Sequence, residues 1–140
     1  MERFRLALEV GFSVKSVLNM ARILIVDDEA GIRETLSALL ELDGHQIDTA
    51  ANGYDAINRF RENPADLVIC DIIMPDKGGL ETIVELRKGN PGVKIIAISG
   101  ASAGGQRKIL DWATKMGADR TFCKPSVSED IKTAIKDLLP

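Results

Sequence analysis

Four places in this chain put a reactive side chain at the end of a short apolar run. Asp27, Asp28 and Glu29 follow Ile23-Leu24-Ile25-Val26, and Asp71 follows Leu67-Val68-Ile69-Cys70. Ser99, with Gly100-Ala101 behind it, closes the run from Val93 to Ile98, and Lys124-Pro125 closes the weaker run from Arg120 to Cys123. Each residue alone has an ordinary reading. Asp28 or Glu29 caps a helix, Asp71 forms a turn, Ser99 is a satisfied hydroxyl, and Lys124 is a solvated lysine. Together they point elsewhere. Carboxylates converging on one rim repel one another and raise at least one pKa unless a cation intervenes. Hard oxygen ligands completed by water suit Mg²⁺ beside a phosphate, a lysine supplies a point charge for a phosphoryl oxygen, and a hydroxyl adds a hydrogen bond. That is equipment for phosphoryl chemistry, with a carboxylate available as nucleophile.

Such convergence requires the runs to be parallel strands ending on one side. The four runs are continuous and rich in β-branched residues, as strands buried on both faces are, while the alternating stretch His45 to Ala50 suits an edge strand. Helical spacing fills the intervals. Ile32, Leu36, Leu39 and Leu40 form one stripe, Ile57 and Phe60 a shorter one, and Leu80, Ile83, Val84 and Leu86 a third. Ile109, Trp112, Ala113 and Met116 make a fourth, and Ile131, Ala134, Ile135 and Leu138 a fifth. Asp43-Gly44, Asn52-Gly53, Asn63-Pro64, Asn90-Pro91-Gly92 and Met116-Gly117 punctuate the elements. Ser126-Val127-Ser128-Glu129 reads as a capping box opening the last helix. Alternating strands and helices predict a parallel sheet covered on both faces, with ligands bound beyond the carboxyl ends of its strands.

Composition sets the outer bounds. The 140 residues suffice for one domain, and 45% hydrophobic with 28% charged residues predicts a packed core under a polar surface. Eighteen Lys and Arg against 21 Asp and Glu leave a formal charge of −3, with no basic excess for a nucleic-acid backbone. Two cysteines, Cys70 and Cys123, make no disulfide framework and lie in strands that are not neighbours, so both are read as small core residues. No apolar run approaches the ~20 residues of a membrane span. Glu9, Gly11 and Lys15 interrupt the N-terminal stretch as a signal peptide. The expectation is a cytoplasmic protein.

The motifs, in order and at these spacings, resemble the receiver domain of two-component response regulators. The resemblance rests on Ile23 to Glu29, Asp71-Ile72-Ile73-Met74-Pro75 with Gly79-Leu80-Glu81, Ser99-Gly100-Ala101 and Lys124-Pro125, and it covers about residues 21–139. It implies a flavodoxin-like (βα)5 doubly wound parallel sheet with strand order 2-1-3-4-5. It also implies that Asp71 accepts a phosphoryl group from a sensor histidine kinase or a phosphotransfer protein. Asp28, Asp71 and the Ile73 carbonyl would ligate Mg²⁺, or alternatively Mn²⁺, with Asp27 acting through water. Lys124 would pair with Asp71 or its phosphoryl group, across a cis peptide bond to Pro125. Ser99 and an inward-turning Phe122 would form a switch, biasing the face built from the domain's fourth helix, fifth strand and fifth helix.

The sequence also departs from the family pattern. Gly78 stands where an acidic residue is common, which loosens the loop after Asp71, and Phe122 replaces the commoner tyrosine. Ser102-Ala103-Gly104-Gly105 makes the next connection glycine-rich and mobile. Ile73 and Ala101 cannot position an attacking water, so slow autodephosphorylation is expected, and a phosphoryl lifetime of only seconds would contradict it. His45, the only histidine, is read as a surface residue rather than a phosphodonor, and Trp112 as core packing. Residues 1–20 form an extension read either as disordered chain or as an amphipathic helix lined by Phe4, Leu8 and Phe12 that docks on the domain or promotes a homodimer, with residues 21–140 as the receiver. The chain runs out after its last helix, so the output is expected to be a downstream protein target rather than direct DNA binding. Two other classes stay open: a receiver-like binding module that is never phosphorylated, and a metal-dependent phosphatase. The second would want a carboxylate at position 73, where Ile stands.

Overall fold

The computed structural model describes residues 2–11, 20–100, 106–124 and 128–140. The elements run α1 (Glu2–Glu9), β1 (Arg22–Val26), α2 (Ala30–Leu42), β2 (Gln46–Ala50), α3 (Gly53–Glu62), β3 (Leu67–Asp71), α4 (Gly79–Gly89), β4 (Lys94–Ser99), α5 (Gln106–Met116), β5 (Arg120–Cys123) and α6 (Ser128–Leu138). The five strands form one parallel sheet in the order β2-β1-β3-β4-β5. The expected flavodoxin-like architecture is therefore the one found. α5 and α6 are the fourth and fifth helices of the sheet domain.

Alternation along the strands divides the core in two, because successive side chains point to opposite faces. Leu24, Val26, Val68, Cys70, Ile95 and Ala97 pack with residues of α3, α4 and α5 on one side. Ile23, Ile25, Leu67, Ile69, Ile96 and Ile98 pack with Leu36 and Leu40 of α2 and Ile131 and Ile135 of α6 on the other. Every residue of β3 is buried, and β1 and β4 are buried apart from their first residues. Each fully buried isoleucine contributes roughly 2–3 kcal/mol. β2 and β5 are the edge strands and are covered only in part.

At the amino ends of the strands, the Arg87 guanidinium ties α4 to the segment after α5. It donates to the carbonyls of Gly117 (2.7 Å), Pro91 (2.9 Å) and Val93 and pairs with Asp119 (2.9 Å). Asp119 Oδ2 also accepts the Ile95 amide at 2.8 Å, which joins this knot to β4. Gly117 turns there with φ 125°, a left-handed conformation that favours glycine.

Three readings of the sequence need correction. Trp112 is 47% exposed, because α5 turns Ala113, with Ile109 and Leu110, towards the core. Cys123 is exposed at the end of the edge strand, whereas Cys70 is buried as expected, and both are free thiols. His45 is half-buried and its Nδ1 accepts the Ala21 amide at 3.0 Å, and burial lowers its pKa despite the nearby Asp43 charge. The N-terminal extension does contain a helix, α1, followed by Gly11 at φ 100°. Phe12, the glycine-rich 102–105 segment, Pro125 with its expected cis bond, and Ser126-Val127 lie outside the described residues.

Candidate acidic functional site

The strand order reverses between β1 and β3, and this switch point brings the predicted acidic residues together. Asp27 directly follows β1, and its amide donates to the Ala50 carbonyl (3.1 Å), prolonging the pairing with β2. Asp71 is the last residue of β3, opposite Ile98 of β4. One carboxylate oxygen from each of Asp27, Asp28 and Asp71 lies within 4.8 Å of the others. Asp27 and Asp71 are 2% and 3% exposed, while Asp28 faces solvent.

Lys124 sits across from this cluster. Its Nζ lies 2.9 Å from Asp27 Oδ2 and 3.1 Å from Asp71 Oδ2, with Glu29 Oε1 at 3.5 Å. The two buried carboxylates are held alike. Asp27 Oδ1 accepts the Glu29 amide (2.9 Å), Asp71 Oδ1 accepts the Ile73 amide (3.3 Å), and each Oδ2 faces the ammonium. Burial first, and the Asp27 charge second, raise the Asp71 pKa to about 6 against the pull of Lys124 and the Ile73 amide. Burial works against the Lys124 charge, yet its hydrogen bonds to Asp27 and Asp71 raise its pKa and keep it protonated.

Ser99 is completely buried at the end of β4, opposite Cys123, and its carbonyl accepts the Lys124 amide at 2.8 Å. Gly100 leaves room for the lysine stem, since a Cβ there would stand 3.0 Å from Lys124 Cδ. Phe122 is half-buried, opposite Ile98, against the core on the α2 and α6 side. Ile73 is 51% exposed beside the cluster. Beside Lys124 opens a cleft of 620 Å³ lined by Glu29, Ile32, Thr35, Ile98 and Gly100 among others.

The donor set fits a hard divalent cation. Three carboxylates face one point, one of them solvent-accessible, and the buried pair retains mutual repulsion that the single lysine does not abolish. Sequence spacing missed three supports. Glu29, read as a helix cap, makes no side-chain cap bond and reaches towards Lys124 instead. Arg33 donates to the Asp27 carbonyl at 2.8 Å. Gly79 packs against Asp71's own backbone, where a Cβ would meet the Asp71 carbonyl oxygen at 2.1 Å. The last two depend on contacts across a turn or loop, which periodicity does not report.

Comparison with known proteins agrees with this geometry. The profile of the response regulator receiver domain matches residues 23–136. The chain is 34% identical to chemotaxis protein CheY of Halobacterium salinarum, covering 84% of this chain and 96% of that one. It is 31% identical to sporulation initiation phosphotransferase F of Bacillus subtilis, over 85% and 94%. It spans about half (51%) of the transcriptional regulatory protein CpxR homolog of Haemophilus influenzae, at 34% identity. Among solved structures, a receiver domain protein from Clostridium thermocellum superposes with a TM-score of 0.77 at 32% identity, over 84% of this chain and 93% of the other. Receiver domains are signalling proteins of two-component systems that generally hold Mg²⁺ in an acidic pocket. Matched in profile, in relatives and in fold, the chain belongs to the response regulator receiver domain family.

Proposed function

We propose that residues 21–140 of this chain are a receiver behind an extension of 1–20, in which Asp71 is the phosphoacceptor. The observation that carries the reading is the Lys124 ammonium held between two buried carboxylates, with a third carboxylate beside them. An Asp71 oxygen attacks phosphorus, an O–P bond forms, and the N–P bond of a phosphohistidine breaks, leaving its electron pair on the imidazole. The donor is a sensor histidine kinase or a phosphotransfer protein. Bound Mg²⁺ supplies positive charge to the phosphoryl oxygens. Asp27, Asp28, Asp71 and the Ile73 carbonyl would hold it.

Lys124 keeps Asp71 ionised before transfer and faces the added charge afterwards. Ser99 lies at the end of the neighbouring strand and is the hydroxyl for a phosphoryl oxygen. With Phe122 it forms the switch that biases the face of α5, β5 and α6. That face reads out to a downstream protein. The product stays on the protein, so the chain is a phosphoacceptor in the cytoplasm rather than a turnover enzyme.

The test is intact-mass spectrometry after incubation with acetyl phosphate and MgCl₂. One added phosphoryl group is expected, lost with EDTA and in Asp71→Asn. An adduct that persists in Asp71→Asn would remove Asp71 from the role.

A further inference from the structure

Resting on the site reading above, we infer that Lys77 is a positioning residue for the metal site, acting through the loop that carries Ile73. The loop after Asp71 is closed at its base. The Gly79 amide donates to the Ile72 carbonyl (2.9 Å), and the Ile72 amide donates to Ile98 of β4 (2.9 Å). Between these ties the chain is exposed at Ile73, Pro75 and Asp76, and Asp76 adopts φ 65°, a left-handed conformation unusual for a residue with a Cβ. Such a conformation persists when the surroundings enforce it.

Lys77, the next residue, supplies the enforcement. Its side chain is only 12% exposed, although it leaves an exposed loop, and its ammonium pairs with Glu85 of α4. The same Nζ lies 5.5 Å from the centre of the Tyr54 ring of α3, in cation–π range. Its stem and carbonyl pack on Gly53, where a Cβ would meet Lys77 Cγ at 2.8 Å and the Lys77 oxygen at 2.9 Å. Withdrawing an ammonium from water is unfavourable unless its partners are well placed, so this one holds the returning limb of the loop against two helices. The excursion left is 73–76, the stretch whose first amide donates to Asp71 Oδ1 at 3.3 Å. Lys77 touches neither Asp71 nor any metal ligand. It fixes where the Ile73 carbonyl and amide stand.

The experiment titrates ¹⁵N-labelled protein with MgCl₂, reading Kd from amide shifts, with Tm measured in parallel. Lys77→Met keeps the packed stem and removes the charge. It is expected to weaken Mg²⁺ about 10-fold, the lower end of what lost outer-shell support costs a metal site. Lys77→Arg, which restores a cation between Glu85 and Tyr54, should return most of the affinity. Arg61→Ala removes Glu85's distant, exposed partner at 4.0 Å and should leave Kd unchanged. In metal-free Lys77→Met the Ile73 amide should exchange faster with solvent. If Lys77→Met does not fold, Glu85→Gln tests the same contact in the same direction. A lower Tm with Kd unchanged would make Lys77 merely structural and overturn the inference while the site reading stands. A parent protein that binds no Mg²⁺ would overturn both.

Discussion

Lys124→Ala should be less stable than the parent by about 3 kcal/mol at pH 8 in EDTA, the low end for breaking a buried ion pair, and the deficit should shrink at pH 5. The alanine leaves Asp27 and Asp71, each 3% exposed at the side chain, facing one another without a cation. Asp71 escapes by taking a proton. Its pKa is already raised to about 6, first by burial and then by the Asp27 charge, with Lys124 opposing the rise. A carboxyl whose folded pKa is raised contributes stability at low pH. That contribution is complete below its ordinary value of ~4 and is lost as pH climbs through the folded value. Removing Lys124 lifts the folded value further, so the variant falls behind the parent mainly above pH 6. Urea denaturation at both pH values, with EDTA and with MgCl₂, measures this. Metal should recover stability by standing in for the ammonium. An equal loss at pH 5 and pH 8 would mean that the carboxylates do not share a charge problem.

Gly79→Ala should lose about 3 kcal/mol, the upper end for overpacking a core, and most of its acetyl phosphate adduct. The atoms in the way are backbone. A Cβ at 79 would stand 2.1 Å from the Asp71 oxygen and 2.5 Å from the Ile72 Cα. No rotamer change relieves that, so either α4 moves outwards or the Asp71 segment moves inwards. Gly78→Ala is the internal control, because its Cβ would meet nothing within 4 Å. It should stay within about 0.5 kcal/mol, as open surface substitutions do. Urea midpoints and adduct mass for the two variants separate them. Equal behaviour of the neighbours would show that the loop yields freely and that the contact at Gly79 is not what fixes Asp71.

Asp27, Asp71, Ser99 and Lys124 were legible because apolar runs announce strands and a parallel sheet sends every carboxyl end to one rim. That inference needs only order along the chain. Trp112 and Cys123 were misread for a related reason. A helical stripe says which side of α5 faces inwards but not how far coverage extends. With Ala113 at the contact, the large neighbouring ring falls outside it. Alternation would bury Cys123 in a central strand, but β5 is an edge strand and its last residue is uncovered. Glu29, Arg33 and Lys77 act through contacts between a loop and a helix or strand. Their partners lie up to 95 positions away in the chain, as with Glu29 and Lys124, and no local pattern encodes them.

The knot around Arg87 has a mechanical consequence. It fastens the chain just beyond the far end of α5 through Gly117 and Asp119, at the opposite end of the strands from the carboxylates. α5 has 11 residues, which at 1.5 Å per residue is a rod about 16 Å long. Fastening one end of such a rod opposes sliding along its axis more than it opposes tilting. A tilt of about 5° over that length would carry the other end, the one that begins at Gln106, through about 1.4 Å. The same tilt leaves the Arg87 end in place, so displacement along α5 grows towards the acidic rim and vanishes away from it.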